Sequence, residues 1–192
     1  SCRASQITRS TADHTQYVMT VNLQPTLQGS LIELRPLRED DWGELYAVAS
    51  DPLIWEQHPA SDRYQEAVFR GFFGEAMATQ SAFVVVDRAT RRIIGSSRYH
   101  GYNPAAREIE IGWTFLARDY WGGRYNGEMK QLMLDHALQF VDRVIFLIGA
   151  NNRRSRLAVE RIGAVLLPTH PLANTERVVY GITRPQTAAA TG

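Results

Sequence analysis

Cysteine is almost absent: Cys2 stands alone in 192 residues, which excludes an intramolecular disulfide and a cysteine-built metal site. Lysine is equally scarce, since Lys130 is the single exception among 21 basic residues and the rest are arginine, the better fork for phosphate oxygens. No excess charge of one sign is present. A net charge of +1 leaves no electrostatic footprint for nucleic acid, so any basic group at work acts locally. No stretch approaches the roughly 18 uninterrupted apolar residues of a membrane span. The opening SCRASQITRSTADHTQYV lacks the apolar core of a signal peptide, and a cytoplasmic protein is expected. Motifs are missing too. There is no GxxxxGK[ST], no GxGxxG, no GxSxG and no kinase-like set of magnesium ligands, and the five histidines (His14, His58, His100, His136, His170) show no zinc spacing.

What is present has ordinary globular proportions, with 44% hydrophobic and 21% charged residues. One domain is expected over residues 29–184, with a flexible extension over 1–28 and a frayed tail over 185–192. Leu31–Leu37 alternates as a strand does, and Glu39–Ser50 has helical spacing with acidic residues in its first turn. Ser61 or Asp62 is expected to cap a helix running to about Ala78. Three successive strands follow, Ala82–Asp87, Arg92–Tyr102 and Arg107–Leu116, joined by the hairpin turns DRATR and YNPAAR. After them come a helix to about Phe140, a strand Val144–Gly149, a helix Asn152–Ile162, and strands near Val165 and Val178. The order predicts an α/β (α+β) fold with helices on both faces of a mostly antiparallel sheet. A crossover makes the strand at Val144 parallel to the strand at Ile111, and a cleft is expected at that pair.

The stretch LARDYWGGRYNGEMK (Leu116–Lys130) is the most informative. Two adjacent glycines and a third four residues on separate a strand from a helix whose apolar face is Met129, Leu132, Met133, Ala137 and Phe140. A strand, a glycine turn and a helix N-terminus aim unpaired backbone N–H groups at whatever occupies the turn. The natural guest is an anion such as phosphate.

Three segments in order, EIGWTFL (Glu110–Leu116), YWGGRYNGEMKQLML (Tyr120–Leu134) and NRRSRLAVERIGA (Asn152–Ala164), resemble the GNAT superfamily of N-acetyltransferases. The likeness is greatest to its ribosomal-protein alanine N-acetyltransferase-like branch. The resemblance covers about Leu31–Thr183 and implies acetyl-CoA or CoA as co-substrate, no metal, and an amine acceptor, in a monomer or homodimer that binds neither nucleic acid nor membrane. It implies that Gly122, Gly123, Arg124, Tyr125, Asn126 and Gly127 meet the pyrophosphate, with Arg124 adding a charged contact or standing solvated. Phe115 and Ala117 are implied as backbone partners of the pantetheine arm, and Gly112 as the mark of the bulge that splays the parallel strands. Asn152 caps its helix or touches the pantetheine and acetyl region, and one side chain can serve both purposes. Ser155 matches the serine that protonates the leaving thiolate, or is an ordinary first-turn serine. Arg124, Asn126 and Val159 depart from the family pattern, and Val159 stands where many relatives carry a tyrosine.

The implied chemistry is direct acetyl transfer to a primary amine. A peptide α-amino group, with a pKa of roughly 7.7 to 8.0, is partly neutral near pH 7, so a modest base suffices. Glu110 matches the family's strand glutamate and is the candidate base; its other reading is a carboxylate paired with Arg98, and Glu108 and His100 are alternative bases. Trp55, His58 and Tyr64 fall where relatives shape the acceptor pocket, or are staples between two helices. An active N-acetyltransferase and a catalytically weak acyl-CoA-binding or regulatory domain of the same fold are separated by acetyl-CoA turnover in the presence of amines.

Overall fold

The computed structural model describes residues 20–185, so most of the expected extension and tail lies outside the described residues. Its elements in chain order are β1 (Leu27–Gln28), β2 (Ile32–Pro36), α1 (Trp42–Ala49), α2 (Glu66–Thr79), β3 (Ala82–Asp87), β4 (Ile93–Asn103) and β5 (Glu108–Leu116). There follow α3 (Arg124–Ala137), β6 (Arg143–Gly149), α4 (Arg153–Arg161), β7 (Val165–Leu166) and β8 (Arg177–Thr183). All eight strands share one sheet in the order β1-β2-β3-β4-β5-β6-β8-β7. Every pairing is antiparallel except β5 with β6, as the crossover through α3 requires.

Strand alternation divides the core between the two faces. In β3, Val84 and Val86 face α1 and α2, packing with Leu45, Phe69, Phe72 and Phe73. Phe83 and Val85 face the other way, toward Met129, Met133 and Ala137 of α3 and Val159 of α4. All of β3 is buried, as a strand covered on both faces must be. Among the described residues no helix is long and apolar enough to cross a membrane.

Three boundaries differ from the sequence reading. The folded unit begins before residue 29: Leu27–Gln28 pairs with β2, Leu23 and Leu27 pack on the core, and Gln24 donates to the carbonyl of Ala82 at 2.9 Å. Neither Ser61 nor Asp62 starts α2, whose N-cap is Gln65 in extended conformation. The chain before it is held instead by Arg63, whose guanidinium lies 4.9 Å from the Phe72 ring and 5.6 Å from the Trp55 ring. Last, α3 ends at Ala137, and Phe140 belongs to the turn that follows.

The opening of the sheet is local. β5 and β6 pair only at Glu108 with Arg143, Ile109 with Val144 and Glu110 with Ile145. Beyond Glu110 they part, while β6 continues on β8 as far as Gly149 opposite Arg177. On its other side β5 holds one extra residue: Ser96 faces Phe115 but Arg98 faces Gly112, so a bulge lies at Trp113–Thr114, just past the glycine expected to mark it. Trp113 takes the left-handed conformation there, at φ +51°.

A carboxylate fixes α3 against the first hairpin. Glu128 accepts from the N–H groups of Ser30, Leu31 and Ile32 at 2.8 Å each and from the Ser30 hydroxyl at 2.7 Å, which holds its carboxyl below the usual range against the opposing effect of burial. Net of exchange with water, a hydrogen bond to a charged group is worth roughly 1.5 to 3 kcal/mol, and the exposed or part-buried N–H groups freed here recover water. Glu128→Ala is therefore expected to cost about 2 kcal/mol in urea unfolding; an unchanged midpoint would show that this tie contributes nothing net.

Candidate active site

The site lies where β5 and β6 separate. The glycine loop follows β5, with Gly122 at φ +113° and Gly123 at φ +106°, values that a side chain would strain. A Cβ at either position would meet open space, so the glycines serve the backbone path and an approach from outside. Backbone N–H groups of Gly122, Gly123, Arg124, Tyr125 and Asn126 donate no hydrogen bond among the described residues, whereas Gly127 donates to Gly123 at 2.8 Å. Gly127 thus offers a bare surface and no free donor. Tyr125 packs edge-on against Tyr120 at 4.8 Å, and the Asn126 side chain accepts from Lys130 at 2.7 Å, which leaves both to act through backbone. Arg124 is exposed. Five free donors at a helix N-terminus with open space before them fit a pyrophosphate.

Along β5 the hydrogen bonding favours residues other than those the sequence named. Ala117 donates to the carbonyl of Ile94 in β4 at 2.8 Å and accepts from Tyr120 at 2.9 Å. The Phe115 carbonyl also turns to β4, where a Cβ on Gly95 would come within 2.0 Å of it. By alternation, Thr114 and Leu116 face the gap in place of Phe115 and Ala117. The Leu116 carbonyl is capped by the Trp121 indole N–H at 2.9 Å. Arg154 stacks on that indole at 4.0 Å and donates to the carbonyl of Ile54 at 3.0 Å, spanning the mouth of the gap.

Glu110 occupies the last paired rung, on the face toward α1 and α2, and is 8% exposed. Its carboxylate folds over Gly112, where a Cβ would stand 3.1 Å from Oε1, so that glycine makes room for the acid. Burial pushes Glu110 up to about 7, against the attraction of Arg177 and Arg98. No ion pair with Arg98 forms within 4.0 Å. The alternative bases stand differently: Glu108 is held by Arg143 at 2.5 Å and His170 at 2.9 Å, and His100 packs against Trp113 at 4.9 Å.

At the start of α4, Asn152 is buried and its Oδ1 accepts from the N–H of Ser155 at 3.2 Å, so it caps the helix. Ser155 lies in the first turn, half-buried. Val159 is in the core and has no proton to give. Trp55 is a staple: it is buried and donates to Ala49 at 2.8 Å. Tyr64 is exposed. His58 accepts from the N–H of Ala60, and burial beside Arg63, Arg177 and Arg154 lowers it to about 4, so it is neutral near pH 7. Arg63 was not foreseen as a site residue and Arg98 only as an ion-pair partner for Glu110; an arginine in a loop reads as a solvated charge unless its neighbours are known. Among the described residues no cluster of three or more His, Cys, Asp or Glu is placed to hold a metal ion.

In this chain the sheet parts beside a bulge, with free helix N–H groups at the mouth of the gap and a buried acid at the last paired rung. The chain belongs to the acetyltransferase (GNAT) domain family, whose profile matches residues 32–165. The fold is shared with a GCN5-related N-acetyltransferase from Brucella melitensis at 21% identity and TM-score 0.68, covering 83% of this chain and 79% of that one. A GNAT-family acetyltransferase from Bacillus anthracis gives 20% identity and TM-score 0.67 over 83% and 98%. Mycobacterium smegmatis RimJ, in complex with CoA-disulfide, gives 18% and 0.57 over 79% and 81%. Among curated proteins no match to this chain is found.

The raised Glu110 pKa makes a stability prediction. The folded state holds this proton up to about pH 7 and the unfolded chain releases it near 4.5, so folding loses stability as pH rises between the two and carries the full penalty above 7. That interval corresponds to about 3 kcal/mol as a ceiling. Glu110→Gln is expected to unfold at higher urea than the parent at pH 8 and to show no such gain at pH 4. Equal gains at both values would assign the effect to packing.

Proposed function

We propose that the protein is an acetyl-CoA-dependent N-acetyltransferase that moves the acetyl group directly to a primary amine of a protein or peptide N-terminus, or of a small amine. The observation that carries this reading is Glu110: a buried carboxylate titrating near 7, without a hydrogen-bonded partner among the described residues, at the point where β5 and β6 part. Acetyl-CoA supplies the activated acetyl thioester. The N–H groups of Gly122–Asn126 hold its pyrophosphate, Arg124 adds charge from outside, and Thr114, Leu116 and Asn152 border the pantetheine path. Glu110 takes the amine proton, directly or through water, and Ser155 is the hydroxyl of α4 that donates toward the leaving thiolate. The sequence motifs favour the ribosomal-protein alanine N-acetyltransferase-like branch, acting in the cytoplasm as a monomer or homodimer.

Thiol release from acetyl-CoA across peptides, polyamines, amino acids and aminoglycosides tests the reading; CoA binding without turnover over that panel would favour a catalytically weak acyl-CoA-binding domain. With an acceptor in hand, Glu110→Gln should lower kcat/KM by roughly 10² to 10⁴ at pH 7. The gap should close toward pH 9, where an amine of pKa about 8 arrives neutral. A defect constant with pH would make Glu110 a positioning group. Ser155→Ala should lower kcat and leave CoA affinity nearly unchanged, and equal losses in both would make Ser155 a binding residue.

The pyrophosphate assignment has its own test at Gly127, which avoids the strained φ of Gly122 and Gly123. Gly127→Ala meets nothing within 4 Å and should stabilise α3 by about 0.5 to 1 kcal/mol. Gly127→Ile should weaken CoA binding at least tenfold, about 1.4 kcal/mol by calorimetry. Unchanged affinity in a folded variant would place the phosphates elsewhere.

A further inference from the structure

Beside Glu110 lies an arginine with nothing to bind. Arg98 faces Gly112 across the β4–β5 ladder, two residues along from Glu110, on the same face of the sheet. It is 3% exposed, and its Nε has no hydrogen-bond partner among the described residues. The guanidinium is clamped between rings, 4.0 Å from Trp113 and 5.5 Å from Phe72, so it is rigid as well as dry. A second guanidinium, Arg63, lies 4.9 Å from the Phe72 ring, and it too makes no ion pair among the described residues.

A buried guanidinium without a counter-ion carries a large desolvation cost, and a chain that only needed packing here would do better with an apolar residue. Burial lowers Arg98 to about 10, which leaves it charged at neutral pH. The nearby carboxylates do not satisfy it: Glu75 is exposed, and Glu110 is itself drawn toward its neutral form. The missing partner is an anion brought in with the acceptor. Guanidinium recognises a carboxylate through two parallel N–H bonds, and two residues of strand separate the Arg98 and Glu110 rungs by about 7 Å. That span suits a molecule whose amine and carboxylate are only a few bonds apart.

Resting on the acetyltransferase reading above, we infer that the acceptor is an amine that also carries a carboxylate, with Arg98 binding the carboxylate and Arg63 reinforcing it while the amine meets Glu110. The carboxylate belongs either to a free amino acid or to an acidic first residue of a peptide. Trp113, turned by the bulge onto the same face as Gly112, is the wall that holds Arg98 in place.

The test compares matched pairs by thiol release: alanine against alaninamide, and a C-terminally amidated peptide beginning with Asp against its Asn counterpart. Calorimetry on the CoA-loaded protein measures binding of the corresponding N-acetylated acids and amides. At least one acid is expected to exceed its neutral partner tenfold in kcat/KM or in affinity, and the pair that responds names the source. Arg98→Met, which fills the slot between Trp113 and Phe72 without charge, should reduce the preference to within twofold, and Arg98→Lys should restore part of it. Amides turned over as well as acids would overturn the inference while leaving the transferase reading intact. Binding of an acetylated acid that depends on Arg98, without turnover of any amine, would uphold the inference and remove the transferase reading. A preference that survives in folded Arg98→Met, or no acid bound or turned over, overturns the assignment of Arg98.

Discussion

Three rungs of parallel pairing, from Glu108 opposite Arg143 to Glu110 opposite Ile145, are the constraint on which the rest of the molecule depends. They hold the two halves of the sheet together and then stop. Beyond them β6 keeps its hydrogen bonds to β8, and β5 keeps its own to β4 with one residue inserted at Trp113–Thr114. The insertion bends β5 away and raises its twist, so the backbone edges on either side of the gap are left without each other. Such unpaired edge groups are tolerated inside a domain only where water or a ligand meets them. The same bend aims the chain into the glycine loop, and the N-terminus of α3 therefore stands at the mouth of the gap.

The face toward α1 and α2 shows what burial does to charge when partners are not supplied. Glu110 rises to about 7, Arg98 falls to about 10 and His58 falls to about 4. All three move toward neutrality, and in each case burial is the largest cause, outweighing the attraction of opposite charges at Glu110. The consequences at neutral pH differ by residue type. The histidine is uncharged, the arginines stay charged, and the glutamate is left near the midpoint where a base both holds its lone pair and accepts a proton usefully. Contrast Glu108, two residues earlier on the same face, which is ion-paired to Arg143 and hydrogen-bonded to His170.

Much of the fold was legible because its signals are local. Periodicity located the strands and helices, hairpin turns gave the antiparallel order, and the crossover gave the parallel pair. The glycine loop stood out through its own spacing, and Glu110 was named through the resemblance to the family. What was not legible depends on register. A single extra residue reverses both side-chain direction and hydrogen-bond direction along a strand; the resemblance marked a bulge at Gly112, and the extra residue lies just past it at Trp113–Thr114. The resemblance named Phe115 and Ala117 as backbone partners of the pantetheine arm, whereas the Ala117 N–H and the Phe115 carbonyl turn to β4. The start of α2 was misread for a related reason. Ser61 and Asp62 have capping chemistry, but the contacts of Arg63 with Phe72 and Trp55 hold that segment out of the helix, and such long-range packing has no local signature.

The scarcity of lysine acquires a physical meaning in this arrangement. Lys130 is buried and lowered to about 8, with Asn126 as its partner at 2.7 Å, so it organises the first turns of α3 and is not presented to solvent. A lysine at position 98 would follow the same course, because an ammonium group in a dry slot lowers its cost by losing its proton. A guanidinium cannot escape in that way at neutral pH; it remains charged, flat enough to lie between Trp113 and Phe72, and forked toward whatever anion enters. The site therefore combines one group free to change charge, Glu110, with one that cannot, Arg98, on the same face and two rungs apart in the strand pair that the bulge interrupts.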